Sequence, residues 1–303
     1  MSTGAHGNRP TRNEQREAAR QKARELREQQ VKNEKRRKIY LQGGIGLAVI
    51  AIATIFIVTL STSGPSVGPR PANMASDGII LSGANMAAVT SDAGAPGADP
   101  IATTPLPGSE TVNIVLYEDY LCPACKAFDD ANSEQLQTLV EAGAATLEIH
   151  PIGMLVNQSA GTKYSLRSTA AAGCVANYSP NTYWAMNQAF YANQPQEGTP
   201  GLSDDELKAI INSLNPENPG KIDKCIDDKV FIPWATQATD YALNGPMTEA
   251  AKQTGSNSVG TPTIIVNGQV YTGSIVDPKE FLAFVTKVAA DSASTTPPTP
   301  AAG

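Results

Sequence analysis

Val112-Asn113-Ile114-Val115-Leu116-Tyr117-Glu118-Asp119-Tyr120-Leu121-Cys122-Pro123-Ala124-Cys125 decides how this chain is read. Val112 to Tyr117 is a short, mainly apolar, β-branched run and predicts a mostly buried strand. Two cysteines three residues apart follow it, and a helical stretch then continues to about Ala142. A cysteine at a strand-to-helix junction sits where unpaired N–H groups and the positive end of the helix dipole stabilise a thiolate, which lowers the pKa of Cys122. Pro123 fits the first helical turn without losing a hydrogen bond. Cys125, one turn on, points back toward Cys122 and can close a small disulfide. The spacing predicts a redox pair.

Two other readings compete. A zinc site normally adds a second close-spaced ligand pair. Here Cys174 and Cys225 are singletons, and of the two histidines only His150 lies in this half of the chain. A purely structural disulfide rarely joins residues three apart in the first turn of a helix.

Outward from the cysteines, Ala145 to Ile152 predicts a second strand, and His150 reads as a strand-end residue. An Ala-rich, amphipathic region from about Thr162 to Thr254 predicts several helices. Its clearest helix opens with Ser203 and Glu206 as a capping box and buries Leu207, Ile210, Ile211 and Leu214. Tyr183, Trp184, Met186, Phe190 and Tyr191 fall at helical spacing and read mainly as core. Thr263–Val266 and Gln269–Tyr271 flank Asn267-Gly268, a type I′ hairpin signal. A last helix starts at Asp277-Pro278-Lys279-Glu280 and turns Phe281, Leu282, Val285 and Val288 inward. The order predicts an α/β sheet with a helical insertion at about 160–255.

The rest of the chain is organised around charge. Residues 1–40 hold twelve Lys+Arg against five Asp+Glu, whereas the whole chain has a net charge of −6. That balance argues against a nucleic-acid binder. Residues 39–60 carry no charge, and twenty-two helical residues span roughly 33 Å, enough for a bilayer core. Lys35 to Lys38 abut one end and no charge follows until Arg70. The expectation is a basic cytoplasmic segment at 1–38, a single-pass signal-anchor helix at 39–60 in the cell membrane, and an extracytoplasmic remainder. A cleavable signal peptide, cut near Ser61 or Ser63, is the competing reading. Residues 61–109, rich in Gly, Pro, Ala and Ser, predict a spacer in which Gly78 to Leu81 can add a short edge strand. Residues 110–290 form the folded unit, and 291–303 a disordered Ser/Thr/Pro tail.

The stretch Asp119 to Cys125, taken with Gly260-Thr261-Pro262-Thr263 before a hairpin and terminal helix, resembles the thioredoxin-fold DsbA-like family. More narrowly, it is similar to the membrane-anchored members of that family from actinobacteria. The resemblance covers about 110–290 and implies that Cys122 is the exposed nucleophile, Cys125 the buried resolving thiol, and Pro262 a cis-proline beside them. It implies redox tuning by Pro123, Ala124 and Thr261, and proton transfer by a buried carboxylate near the end of the strand. Glu118 and Asp119 are the candidates, with solvation at the strand end as the alternative.

The resemblance also implies a Cys174–Cys225 disulfide in the insertion, with a second, electron-shuttling pair as the alternative. The implied activity is introduction of disulfides into reduced or unfolded exported proteins. A DsbB-like or vitamin-K-epoxide-reductase-like membrane protein would reoxidise the pair, without metal or bound organic cofactor. Pro123-Ala124 departs from the family's best-known dipeptide, which contains His, and Thr261 is as typical of isomerases as of oxidases. A cell-envelope reductase or isomerase therefore stays open, as does a membrane-anchored chaperone or binding module with a non-catalytic disulfide.

Overall fold

The computed structural model describes residues 68–103 and 111–294. The predicted segment at 1–38 and the predicted span at 39–60 lie outside the described residues. Among the described residues no helix is long and apolar enough to cross a membrane.

The central strand is β3 (Val112–Glu118), six of whose seven residues are buried. It pairs parallel with β4 (Ala145–Pro151) and antiparallel with β5 (Thr263–Val266), so it has neighbours on both sides. A strand enclosed in this way is buried on both faces, which explains why its run is mainly apolar, Asn113 being its interior polar residue. Between β3 and β4 runs α1 (Pro123–Glu141). It ends where Gly143, at φ +72°, lets its own N–H reach the Val140 carbonyl and that of Ala144 reach Leu139. This Schellman motif turns the chain back into the sheet.

The first correction concerns residues 61–109. Of these, 68–88 are no spacer: they supply two strands of the sheet and part of the core, whereas no residue of 89–103 is buried. β1 (Ile79–Ser82) pairs antiparallel with β4 and is itself flanked by β2 (Ala87–Ala88), so it is not the sheet's edge. The sheet order is β2-β1-β4-β3-β5-β6, with β6 at Gln269–Val270. Met74, Ile79, Leu81 and Met86 are fully buried. Arg70 makes a buried ion pair with Asp77, whose Oδ1 also accepts from Trp234 Nε1 at 2.7 Å. The Ala72 N–H donates to Asn177 Oδ1 at 2.8 Å, and Asn73 Nδ2 to the Ala176 carbonyl at 2.8 Å. Gly, Pro and Ala made the segment look like a linker because its buried large apolar residues are few: Met74, Met86 and those of the short Ile79-Ile80-Leu81 run. They complete a core built mainly by the rest of the chain.

The helical insertion comprises α2 (Tyr164–Tyr178), α3 (Tyr183–Ala192), α4 (Asp204–Ser213), α5 (Pro219–Asp227), α6 (Ile232–Asn244) and α7 (Pro246–Gln253). α2 is its axis, and its small residues bring neighbouring helices close. A Cβ on Gly173 would stand 2.8 Å from the Trp234 ring. The Ser203–Glu206 capping box forms as expected. Cys174 on α2 and Cys225 on α5 are joined at an S–S distance of 2.05 Å. Closing a loop of 51 residues stabilises the insertion by about 4 kcal/mol in the chain-entropy account.

The hairpin turn has both Asn267 and Gly268 at positive φ, as a type I′ turn requires. In α8 (Pro278–Ser294), Phe281, Val285 and Val288 are buried, but Leu282 is 39% exposed. Leu282 follows Phe281 by about 100° around the helix, which turns it off the buried stripe. α8 also extends four residues into the predicted tail. One continuous core holds Ile114, Leu116, Leu147, Ile149, Ile264 and Val266 with Phe128 of α1 and Phe281 of α8. The other face of the sheet carries a smaller cluster of Tyr117, Ile152, Ala242 and Met247. Beside it is a cavity of about 320 Å³, lined among others by Tyr117, Glu148, His150 and Tyr241. His150 is therefore a buried strand residue: its Nε2 lies 3.0 Å from Glu148 and its ring stacks on Tyr117.

Candidate active site

β3 ends at Glu118, and four residues later Cys122 stands at the N-cap of α1 with extended backbone. The connecting loop is short, so its conformation is set by what holds its polar groups. Asp119, fully buried, does most of this. Its Oδ1 accepts from the Leu121 N–H at 2.8 Å, and its Oδ2 accepts from the Leu155 N–H at 2.8 Å and from the Ser165 hydroxyl. Its own carbonyl accepts from the Cys122 N–H at 2.9 Å. Asp119 thus ties the redox loop to the loop after β4 and to α2.

Cys122 and Cys125 are unbonded thiols, 7% and 1% exposed. The expected exposed nucleophile is itself largely covered, though it is the more open of the two. The Cys122 thiol donates to the Thr261 carbonyl at 3.3 Å, and the Thr261–Pro262 peptide is cis, as the resemblance implied. Cys122 is lowered to about 7, first through a hydrogen bond from the Cys125 thiol and also by the Thr261 side chain, against burial and the Asp119 charge. Burial, with Cys122 alongside, pushes the Cys125 thiol well up. The two sulfurs are thereby made unequal. Pro123 and Ala124 fill the first turn between them, Pro123 exposed.

Glu118 is only 2% exposed, so solvation at the strand end is ruled out. Burial raises its carboxyl well above the ordinary range, the Asp129 charge adds to this, and the Tyr191 and Asn187 side chains partly offset it. Its Oε1 is buried without a hydrogen-bond partner. Glu118 also lies near enough to Cys125 to raise that thiol further. Asp119 and Asp129 are each raised to about 6, mainly by burial. A carboxyl elevated in the fold stabilises it when protonated, so this contribution is present below the unfolded pKa near 4 and is lost as pH rises through the folded value. Glu118→Gln is accordingly expected to raise stability at pH 7.5, with a smaller gain at pH 5. Urea denaturation at both pH values checks this, and a loss of stability at pH 7.5 would refute the buried protonated state.

The fold brings Cys122, Cys125, Glu118, Asp119, Thr261 and Pro262 together and leaves the Cys174–Cys225 disulfide in the insertion. It also recruits residues that the sequence reading placed elsewhere or passed over. Tyr183, Asn187 and Tyr191 form one stripe of α3 over the redox loop, where the Tyr120 hydroxyl donates to Asn187 Oδ1 at 2.9 Å. The four-residue spacing of these polar-tipped residues was the available signal. Gln188 and Gln194, which bond to α1 and to the loop, offered none. Among the described residues no group of three or more His, Cys, Asp or Glu could hold a metal ion.

Comparison with known proteins agrees with this architecture. Among curated proteins, the serine/threonine-protein kinase PknE of Mycobacterium tuberculosis is 28% identical over 155 residues, which is 50% of this chain and 26% of the kinase. The chain thus spans about a quarter of the length of the curated relatives it matches. DsbA from Mycobacterium tuberculosis superposes with a TM-score of 0.50 at 23% identity, covering 73% of this chain and 100% of that one. BdbD from Bacillus subtilis gives 0.51 at 18% identity, covering 75% and 100%. The fold is therefore that of the DsbA-like thiol-disulfide oxidoreductases. The family model described as Thioredoxin matches residues 107–287, which take in the redox loop, the whole insertion and the cis-proline hairpin: the chain belongs to the thioredoxin family.

Proposed function

We propose that this chain is an extracytoplasmic, membrane-anchored protein thiol–disulfide oxidoreductase that introduces disulfides into exported proteins. The observation that carries the reading is the Cys122–Cys125 thiol pair at the N-terminus of α1, beside the cis Thr261–Pro262 loop, with Cys125 the more deeply buried of the two. In the oxidised enzyme, a substrate thiolate attacks Cys122 Sγ, forming a mixed disulfide and breaking the Cys122–Cys125 bond. Cys125 leaves as a buried thiolate and takes a proton from Glu118. The substrate's second thiolate then attacks its own sulfur in the mixed disulfide and expels Cys122 as a stabilised thiolate. The substrate loses two electrons and the pair gains them. The Thr261–Pro262 loop, beside the Cys122 thiol, would pair its backbone with an extended substrate segment.

The uncharged stretch at 39–60 and the basic residues before it support an anchor with the redox domain outside. A quinone-linked membrane protein, DsbB-like or vitamin-K-epoxide-reductase-like, would accept the electrons. One observation favours the reductase or isomerase reading: a nucleophile near 7 is less acidic than that of the strongest bacterial oxidants.

Equilibrating the full chain in graded glutathione buffers, with alkylation and mass mapping of each cysteine, decides the direction. The expected Cys122–Cys125 potential lies between about −120 and −180 mV; one near −270 mV would make the protein a reductant. Cys174–Cys225 is expected to stay oxidised throughout, and co-titration with the first pair would make it a shuttle.

A further inference from the structure

A row of side chains from α3 and the turn after it lies along α1. Trp184 Nε1 donates to Gln137 Oε1 at 3.2 Å, and Gln188 Nε2 donates to Asp129 Oδ1 at 2.7 Å. At the end of the row, Gln194 Nε2 donates to the Tyr120 carbonyl at 3.1 Å and to the Cys122 carbonyl at 3.0 Å. A primary amide has two N–H donors, and here both are spent on the redox loop. The Cys122 carbonyl already accepts the first helical bond of α1, from Lys126 N at 3.2 Å, so Gln194 fills its second lone pair. Gln194 is itself held in place: its backbone N–H bonds to the Tyr191 carbonyl at 3.2 Å, and the Phe190 and Tyr191 rings pack on Tyr120 at 5.0 and 5.4 Å.

We propose that Gln194 is a positioning residue of the redox loop: its amide, delivered by the helical insertion, fixes the Tyr120 and Cys122 carbonyls and so sets where Cys122 Sγ meets Thr261 and Cys125. The inference rests on the thiol–disulfide reading above. Asp119 holds the loop through its N–H groups from the α2 side, and Gln194 holds it through its carbonyls from the α3 side. The loop is therefore clamped between two parts of the insertion, and the register between insertion and redox helix is transmitted to the nucleophile. The Gln194 amide also adds two N–H dipoles, positive ends inward, to carbonyls of the loop that carries the thiolate, one of them on Cys122 itself. Losing it disfavours the Cys122 thiolate and with it the dithiol form of the pair.

The test compares Gln194→Met, which keeps the side chain's length without donors, and Gln194→Glu, which replaces the donor with a carboxylate facing two carbonyls. Gln137→Met, at the far end of the same row, is the control. The full chain is titrated by thiolate ultraviolet absorbance and equilibrated with reduced and oxidised glutathione. Expected for Gln194→Met is a Cys122 titration displaced to higher pH and a glutathione equilibrium shifted about fivefold toward the disulfide, about the net worth of one hydrogen bond; Gln194→Glu shifts both further. Gln137→Met lowers the denaturation midpoint and moves neither. Gln194 variants that lose stability while both readouts stay at wild-type values overturn the proposal. If the wild-type pair does not exchange with glutathione but its thiolate titration still responds to Gln194, the positioning role stands and the redox function falls.

Discussion

A chain begun at Thr111, and so lacking residues 68–103, will fail to fold. Met74, Ile79, Leu81 and Met86 are fully buried, and each such side chain contributes about 1.5 to 3 kcal/mol by leaving water. Together that is on the order of 10 kcal/mol, an upper figure because the unfolded chain already buries part of this surface. It is nevertheless comparable with the whole net stability of a domain. The deletion also uncovers the β4 edge, where Ile79 to Leu81 pair with Leu147 to Ile149, and strips Asp77 from Trp234. The expected result is a protein without near-ultraviolet circular dichroism or a cooperative urea transition, whereas a chain begun at residue 62 keeps both. Cooperative unfolding of the shorter chain at the same midpoint would show that the segment is a spacer after all.

The second large effect separates the two sulfurs. Cys122→Ser is expected to reduce oxidation of a dithiol peptide to the uncatalysed background, because the remaining Cys125 is 1% exposed and burial keeps its thiol protonated. Cys125→Ser should behave differently. Mixed with a single-cysteine peptide carried as its glutathione mixed disulfide, its Cys122 thiolate attacks the peptide sulfur and expels glutathione thiolate. With neither Cys125 nor a second peptide thiol to attack the new bond, the adduct accumulates and is read as one peptide mass per chain. An adduct forming instead on Cys122→Ser would reverse the assignment. Unchanged protection of unfolded substrates by both variants, with no redox turnover in the wild type, would favour the binding-module reading.

The legible parts of this molecule were those coded by local spacing. The Val112–Cys125 stretch marks a buried strand running into a helix. Ser203–Glu206 marks a helix start, Asn267-Gly268 a hairpin, and Cys122-Pro123-Ala124-Cys125 two thiols in the first turn of a helix that follows a strand. Each depends on a few consecutive residues whose backbone demands are the same wherever they occur. Leu282 was misread because one apolar residue beside a correct stripe is indistinguishable by composition from a member of it.

Glu118 and Asp119 show the boundary most clearly. From sequence they are two carboxylates at the end of a strand, a position ordinarily open to water. In the fold, α3 covers Glu118, and the loop after β4 closes with α2 on Asp119, so one becomes a buried carboxyl whose pKa is raised and the other the anchor of the loop before α1. Gln194 is seventy-two residues from Cys122, and nothing in its neighbourhood distinguishes it from a surface glutamine.

The sequence by itself determined where the thiol pair sits and the order of elements, because thiol spacing, caps and turns are local properties of the chain. Tertiary structure alone decided which carboxylate is dry, which amide holds the nucleophile's loop, and that a Gly- and Pro-rich segment belongs to the core. Those properties depend on desolvation and on contacts between distant segments, and both arise only when the segments pack together.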